Sequence, residues 1–437
     1  MFPVRYIHAA DLHLDAAFLG ISREASGAEI SAQLRQATFT ALDRLFALCE
    51  REKPDFLVIA GDIYNKEDRS IKAQLALRDG CERLSACGVQ VFLAHGNHDP
   101  LSSRMQNLHW PSNTVIFTDT VSSHIVTREG APVAVVHGIS HAGPQETRNL
   151  AQSFRRHDMH GYDDDARRCF QLGVLHCTLD GMKADRYAPC TLADLNETGL
   201  DAWALGHIHQ RTVCQPSPFV AYSGNIQGLH IHEEGPRGCY IVSAKPDTAD
   251  ATAETCPFTC DAEFQPLGPV QWQIVTADID GVNKLDSVED AIRSAMQDAL
   301  AACDASCSTL ICRVRLTGRS ALDGTLRDAR GVNELTERLR TTAYGQPLLW
   351  LKDIRVETGQ EINMAEMLER KDLLGETLRL AQDMQQPDAL APFSAAALKQ
   401  LYGNARASKA LEPLTPEEQQ QLMDEAQRLC VDMMEAN

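Results

Sequence analysis

Seven side chains of the kinds that hold divalent cations stand in five short segments. These are Asp11-Leu12-His13, Gly61-Asp62, Gly96-Asn97-His98-Asp99, His176 and Gly206-His207-Ile208-His209. Together they offer carboxylates, an amide oxygen and imidazoles, and no thiolate, a donor set that suits borderline, hard-leaning ions. Two such ions side by side clamp the attacking and leaving oxygens of a phosphoester. Asp62 is the expected bridge, because Gly61 beside it lets metal and backbone approach closely. Asp11, His13 and His209 are expected to complete one shell, and Asn97, His176 and His207 the other. The expected cofactors are therefore two divalent metal ions, with Mn²⁺ the choice this chemistry favours. His98 directly follows a ligand, so its ring can face substrate. Its expected catalytic role is to steady the transition state and protonate the leaving oxygen. The nucleophile is a water acidified by the ions. Asp99 either orients His98 or caps the next turn.

The positions of these segments carry as much as their composition. Each follows an apolar run: Val4–Ala10, Phe56–Ala60, Val89–Ala94, Phe170–Leu175 and Ala202–Leu205. Such runs, bounded by glycine or polar residues, read as buried strands, and open α/β sheets place their sites at strand ends. One DxH or GD pair arises by chance; five segments in order at strand ends argue against histidines that merely fill a core. Helical periodicity over Ile30–Arg51 and Ile71–Cys87, stopped by Pro54 and Gly88, gives strand–helix–strand alternation and right-handed crossovers. The polar stretch Gly143–Arg168 is expected over the site, and strands resume at Phe219–Tyr222 and Gly238–Val242.

A second pattern begins near residue 271. It reads as strand Gln271–Ile279, helix Val288–Ala302, strand Thr309–Thr317, helix Val332–Tyr344 and strand Leu348–Val356. The stretch 246–270, with little periodicity, suits a linker or an irregular edge. Residues 361–437 are helical, with an apolar stripe of Met364, Met367, Leu368, Leu374, Leu378, Ala381 and Met384. A stripe this rich in Met and Leu fits docking on a partner as well as packing on its own domain. The expected domains are 1–245, a linker 246–270, an α/β module 271–360 and a helical segment 361–437.

Composition narrows the class. The 437 residues, 44% hydrophobic and 23% charged, are ordinary for a globular chain. No run reaches the length of a membrane span, and the N-terminus enters the first strand at once, so a cytoplasmic protein without membrane contact is expected. The 14 cysteines are scattered and expected to be reduced; Cys256/Cys260 and Cys303/Cys307 fit a structural zinc site poorly. Net charge is −19, of which −5 falls in residues 1–245 and −14 in 246–437. Such a balance argues against tight, unaided binding to nucleic acid. Arg155, Arg156, Arg167 and Arg168 could guide a phosphate backbone, although a solvated surface is the plainer reading.

The chain resembles the calcineurin-like metallophosphoesterases, and among them the SbcD-type DNA repair exonuclease family in its YhaO branch. The resemblance is carried by His8-Ala-Ala-Asp-Leu-His-Leu-Asp15, Tyr187-Ala-Pro-Cys-Thr-Leu-Ala-Asp-Leu195, Asp201-Ala-Trp-Ala-Leu-Gly-His-Ile-His209 and Ser223-Gly-Asn-Ile-Gln-Gly228. It implies an α/β fold: a sandwich of two mixed β-sheets flanked by helices, then a small capping domain and a helical C-terminal segment. It also implies a Mn²⁺-dependent DNA exonuclease or endonuclease subunit paired with an SbcC/YhaN-like coiled-coil ATPase that supplies DNA grip and ATP gating, and it leaves a homodimer open. Two positions depart from what the resemblance implies: Asn65, where eukaryotic and archaeal relatives often carry His shortly after the Gly-Asp pair, and Leu229, where a basic residue is expected in close relatives. Two other readings compete. A small-molecule phosphodiesterase or phosphatase on the same scaffold would show an enclosed pocket over the metals. A non-catalytic assembly subunit is disfavoured because no ligand position has been lost.

Overall fold

A computed structural model describes residues 2–18, 27–65, 70–103, 108–156, 164–180, 187–247, 257–340, 347–404 and 413–435. Compactness divides the chain into two units. One comprises 1–275, 295–314 and 340–353, the other 276–294, 315–339 and 354–437, so the division runs through the segment 271–360.

In the first unit the apolar runs become strands. These are β1 (Val4–Ala9), β2 (Phe56–Ala60), β3 (Gln90–Ala94), β4 (Thr114–Ile116), β5 (Ser122–Arg128), β6 (Ala131–Gly138), β7 (Phe170–His176), β8 (Ala202–Gly206), β9 (Thr212–Pro216), β10 (Phe219–Tyr222), β11 (Gly238–Pro246) and β12 (Phe258–Pro266). Two mixed sheets result, ordered β12-β11-β1-β2-β3-β4 and β5-β6-β7-β8-β10-β9. Within them β1, β2, β3 and β4 run parallel, as do β6, β7, β8 and β10. The parallel strands therefore end together, which is what gathers polar residues at one edge of each sheet.

Burial explains why the central strands are apolar on both faces. Val4, Tyr6, Phe56, Val58 and Phe92 face Val136, Phe170, Leu172, Ala204 and their neighbours in a core between the sheets. Tyr6 stacks on Phe56 with ring centroids 5.2 Å apart. The alternate residues Ile7, Ala9, Leu57, Ile59 and Leu93 meet Leu42, Leu45, Phe46, Leu77 and Leu84. Those partners come from helices Gly27–Glu52 and Ile71–Ala86, the second capped by Ser70. Truncating one of the buried aromatics to alanine would cost about 3–5 kcal/mol.

One expectation is corrected here. The stretch 246–270 is not simply a linker, because β12 pairs antiparallel with β11 along nine positions at the edge of the first sheet. Phe258, Cys260, Ala262 and Phe264 alternate toward the core, and small or thiol residues between acids hide that period in the sequence. Residues 248–256 of this stretch, with Cys256, lie outside the described residues, as do 157–163 and 341–346. The described cysteines are free thiols, most of them buried.

A three-stranded sheet, β13 (Val270–Asp278), β14 (Thr309–Thr317) and β15 (Leu348–Val356), follows in that order, with helices Leu285–Ala301 and Ala329–Arg340 between its strands. In the second unit, Leu374, Leu378 and Val431 are buried with Ile362, Met364, Met367 and Leu368 packed on them. Part of the apolar stripe is thus used within its own unit, while Leu373, Leu380, Leu429 and Met433 stay exposed. Among the described residues no helix is long and apolar enough to cross a membrane.

Candidate metal centre

The loops that follow β1 and β2 are zipped together. Asp11 N–H donates to Gly61 O at 3.0 Å, His13 N–H to Asp62 O at 3.1 Å and Leu14 N–H to Ile63 O at 3.0 Å. This forces a sharp change of direction at each strand end. Asp11, His13, Asp62 and His207 all adopt left-handed backbone, with φ of 50°, 41°, 48° and 98°. Each such residue costs on the order of 1–3 kcal/mol unless its surroundings impose it. The segment supplies glycine where nothing larger fits. At Gly61 (φ 95°) a Cβ would lie 2.3 Å from His176 Nδ1, and at Gly96 one would lie 2.2 Å from Asp62 Oδ1.

These turns bring six of the seven expected ligands into two groups of potential donors: Asp11, His13 and His209, and Asp62, His176 and His207. Within each group the donor atoms lie within 4.8 Å of one another. Asn97 joins the second group, its Oδ1 3.0 Å from His176 Nε2. Asp62 stands between the groups, with Oδ2 3.3 Å from His176 Nε2 and 4.0 Å from His13 Nε2. Its Oδ1 accepts the backbone N–H of His98 at 2.9 Å. Asp11 in turn accepts the His207 N–H at 3.0 and 3.2 Å. His98 is exposed, its ring set edge-on to His13 at 5.1 Å.

The rings are held from behind. His176 Nδ1–H donates to Ala60 O at 3.0 Å, and His13 Nδ1–H to Asn65 Oδ1 at 2.8 Å. His209 Nδ1 makes a very short contact with Glu233 Oε1. With the Nδ1 atoms engaged, the Nε2 atoms point inward, where a metal would meet them in place of a proton. His13 Nε2 and His209 Nε2 then face each other at 3.0 Å. A proton on one ring can bridge that gap, and a cation taking the proton's place would meet both nitrogens, so this donor set fits two divalent ions.

The charges agree with that fit. Burial pushes Asp11 up to about 6 against the pull of His176 and His209. Burial would also raise Asp62, but His176, His13 and His98 outweigh it and hold the carboxyl well below its usual range. His176, despite burial, is drawn up to about 9 by Asp62 and Asp11. Burial and the nearby His209 press His13 down to about 4, so it offers a lone pair. The two carboxylates thus demand positive charge among them, which a proton on His176 or a cation can supply.

Other residues settle into supporting places. Asp99 is fully buried and accepts from Ile63 N, Gly96 N and His95 Nδ1, so it braces the loop instead of orienting His98 or capping the following turn. His8 Nε2 bonds Leu205 O and His141 Nε2 bonds His176 O. Arg156 pairs with Asp201, and Arg155 donates to the carbonyls of Gln152 and Phe154, so both are engaged within the fold. Leu229 is buried. Sequence reasoning missed Glu233 as a ring partner and treated Asn65 only as a departure. Neither is marked by spacing, since each meets its histidine through tertiary folding.

Residues 4–211 match the family model for calcineurin-like phosphoesterases, and residues 272–359 match that for the middle domain of the metallophosphoesterase YhaO. An uncharacterized metallophosphoesterase YhaO of Bacillus subtilis is 33% identical over 367 residues, covering 83% of this chain and 84% of that one. The SbcD component of the SbcCD nuclease of Staphylococcus epidermidis is 24% identical across 51% of this chain and 61% of its own length. The DNA double-strand break repair protein Mre11 of Aeropyrum pernix is 24% identical across 52% and 55%. The chain belongs to the calcineurin-like metallophosphoesterase family, in which it carries the YhaO middle domain. It is a metallophosphoesterase hydrolase with two candidate metal-binding sites.

Proposed function

We propose that this metallophosphoesterase hydrolyses phosphodiester bonds in DNA with two Mn²⁺ ions, as the nuclease component of an assembly with an SbcC/YhaN-like coiled-coil ATPase. The observation that carries the reading is the placement of Asp62 between two groups of donors, 3.3 Å from one imidazole and 4.0 Å from another. Asp11, His13 and His209 would hold one ion, and Asn97, His176 and His207 the other, with Asp62 shared. When bound, such ions supply positive charge to phosphoryl oxygens and acidify water.

The chain's own residues supply the rest. His98 sits at the exposed rim with its backbone tied to Asp62, where its ring can reach a leaving oxygen and give it a proton. Rings fixed from behind and turns set in left-handed backbone hold the donors ready, so little reorganisation accompanies reaction. A long polymer suits the exposed position of His98 better than a small enclosed substrate would. DNA as that polymer is supported by the names of the distant nuclease and repair relatives. The net charge of −19 makes a partner that grips DNA part of the same reading. Residues 1–245 would then be the nuclease domain, 271–360 a capping module and 361–437 the segment offered to the ATPase, through exposed Leu373, Leu380, Leu429 and Met433.

The test is cleavage of linear and single-stranded DNA with Mn²⁺, with and without the ATPase. Cleavage that vanishes on chelation supports the proposal. Good turnover of a small phosphodiester with no DNA cut under either condition would overturn it in favour of a small-molecule enzyme.

A further inference from the structure

We propose that Glu233 is a positioning residue of the metal centre: its carboxylate fixes which nitrogen of His209 carries the proton and so keeps His209 Nε2 open to a cation. The proposal rests on reading Asp11, His13 and His209 as ligands of one ion. Glu233 is buried, 5% exposed, and its two oxygens divide their work. Oε1 takes the His209 Nδ1–H and lies 3.4 Å from His230 Nε2. Oε2 accepts the Leu229 backbone N–H at 2.6 Å and the Asn225 amide at 3.1 Å. An ionised carboxylate only accepts, so His209 must donate from Nδ1 and leave its lone pair on Nε2. A histidine ligand whose far nitrogen bonds a carboxylate is held in both tautomer and orientation.

The loop carrying Glu233 is fastened to His209 by other means as well. Arg237 donates to His209 O at 2.5 Å and to Asn225 Oδ1 at 3.3 Å. Gly224 lies so near that a Cβ there would be 2.6 Å from His209 O. Loss of the charge on Glu233 should therefore leave the loop in place, which makes the two roles separable.

Glu233→Gln tests this sharply. The amide has one acceptor oxygen, and Leu229 N–H with Asn225 claims it at the Oε2 position. The NH₂ then faces His209 Nδ1 and drives the ring proton to Nε2. Long-range ¹H–¹⁵N spectra of metal-free protein at alkaline pH, with His209→Gln to assign the ring, should show Nδ1–H in the parent and Nε2–H in Glu233→Gln. Mn²⁺ titration by calorimetry should show one of two ions weakened about 10–100-fold, with the melting temperature of metal-free protein near that of the parent. An Nε2–H tautomer in the parent overturns the proposal even if the variant does not fold. So does an unchanged tautomer with unchanged affinity in the variant, or equal loss of both ions together with melting of the fold. A parent that takes up no Mn²⁺ at all would defeat the metal reading itself, while the tautomer spectra still decide what Glu233 does.

Discussion

Asn65 Oδ1 accepts the hydrogen bond of His13 Nδ1 at 2.8 Å, so the His13 ring is clamped on the side away from the donor cluster. Asn65 thus has a use in this chain. Replacing it with alanine should let the ring turn and lower Mn²⁺ affinity roughly 10-fold. Calorimetric titration of Asn65→Ala against the parent checks this, and unchanged affinity would show that packing alone orients His13.

His98 should separate chemistry from metal binding. His98→Ala is expected to keep both ions, because the hydrogen bond to Asp62 comes from its backbone N–H, at 2.9 Å, which alanine retains. Hydrolysis should fall about 10²–10⁴-fold for loss of acid–base help. Metal content and rate measured on the same preparation decide it, and a parallel loss of both would make His98 a ligand.

Asp62→Asn should do the reverse. Removing the charge between the two donor groups is expected to empty at least one position, read by elemental analysis. Added Mn²⁺ should raise the melting temperature of the parent, since an ion that binds only the folded chain stabilises it. The variant should respond less.

Gly61→Ala meets two obstacles at one atom. Its φ of 95° disfavours any side chain, and the new Cβ would sit 2.3 Å from His176 Nδ1. A loss of more than about 1 kcal/mol in urea unfolding is expected, together with weaker metal binding. A variant as stable as the parent would show that the turn can relax.

Acid should weaken the fold through His137, which lies away from the metal centre. The ring is buried and neutral, donating from Nε2 to Gln171 Oε1 at 2.6 Å and accepting from Ser123 Oγ at 2.7 Å. Burial lowers it from 6.5 to about 4. The folded state therefore binds this proton less readily than the unfolded state does. Its stabilising effect is complete above 6.5 and is lost progressively as pH falls toward about 4. The full loss is on the order of 3 kcal/mol. Urea midpoints across that window should fall less steeply in His137→Gln than in the parent.

Much of this arrangement could be read from the chain because buried parallel strands are apolar on both sides and stop abruptly at polar residues. Phe56–Ala60, Thr309–Thr317 and Leu348–Val356 begin and end where the apolar runs do. The order of Asp11, Asp62, Asn97, His176 and His207 along the chain also follows the order of strand ends. What stayed hidden depends on tertiary approach. Glu233 lies 24 residues beyond His209, and Asn65 lies 52 beyond His13. No periodicity links such pairs. The edge strand β12 was obscured for another reason: its inward positions include Cys260 and Ala262, too weakly apolar to mark a face.

The left-handed turns at Asp11, His13, Asp62 and His207 carry a consequence for anyone evolving this protein. At each, glycine would suit the main chain better than the side chain that is there. A screen rewarding only heat resistance of the metal-free protein would therefore enrich His207→Gly, yielding a sturdier chain that has shed its chemistry.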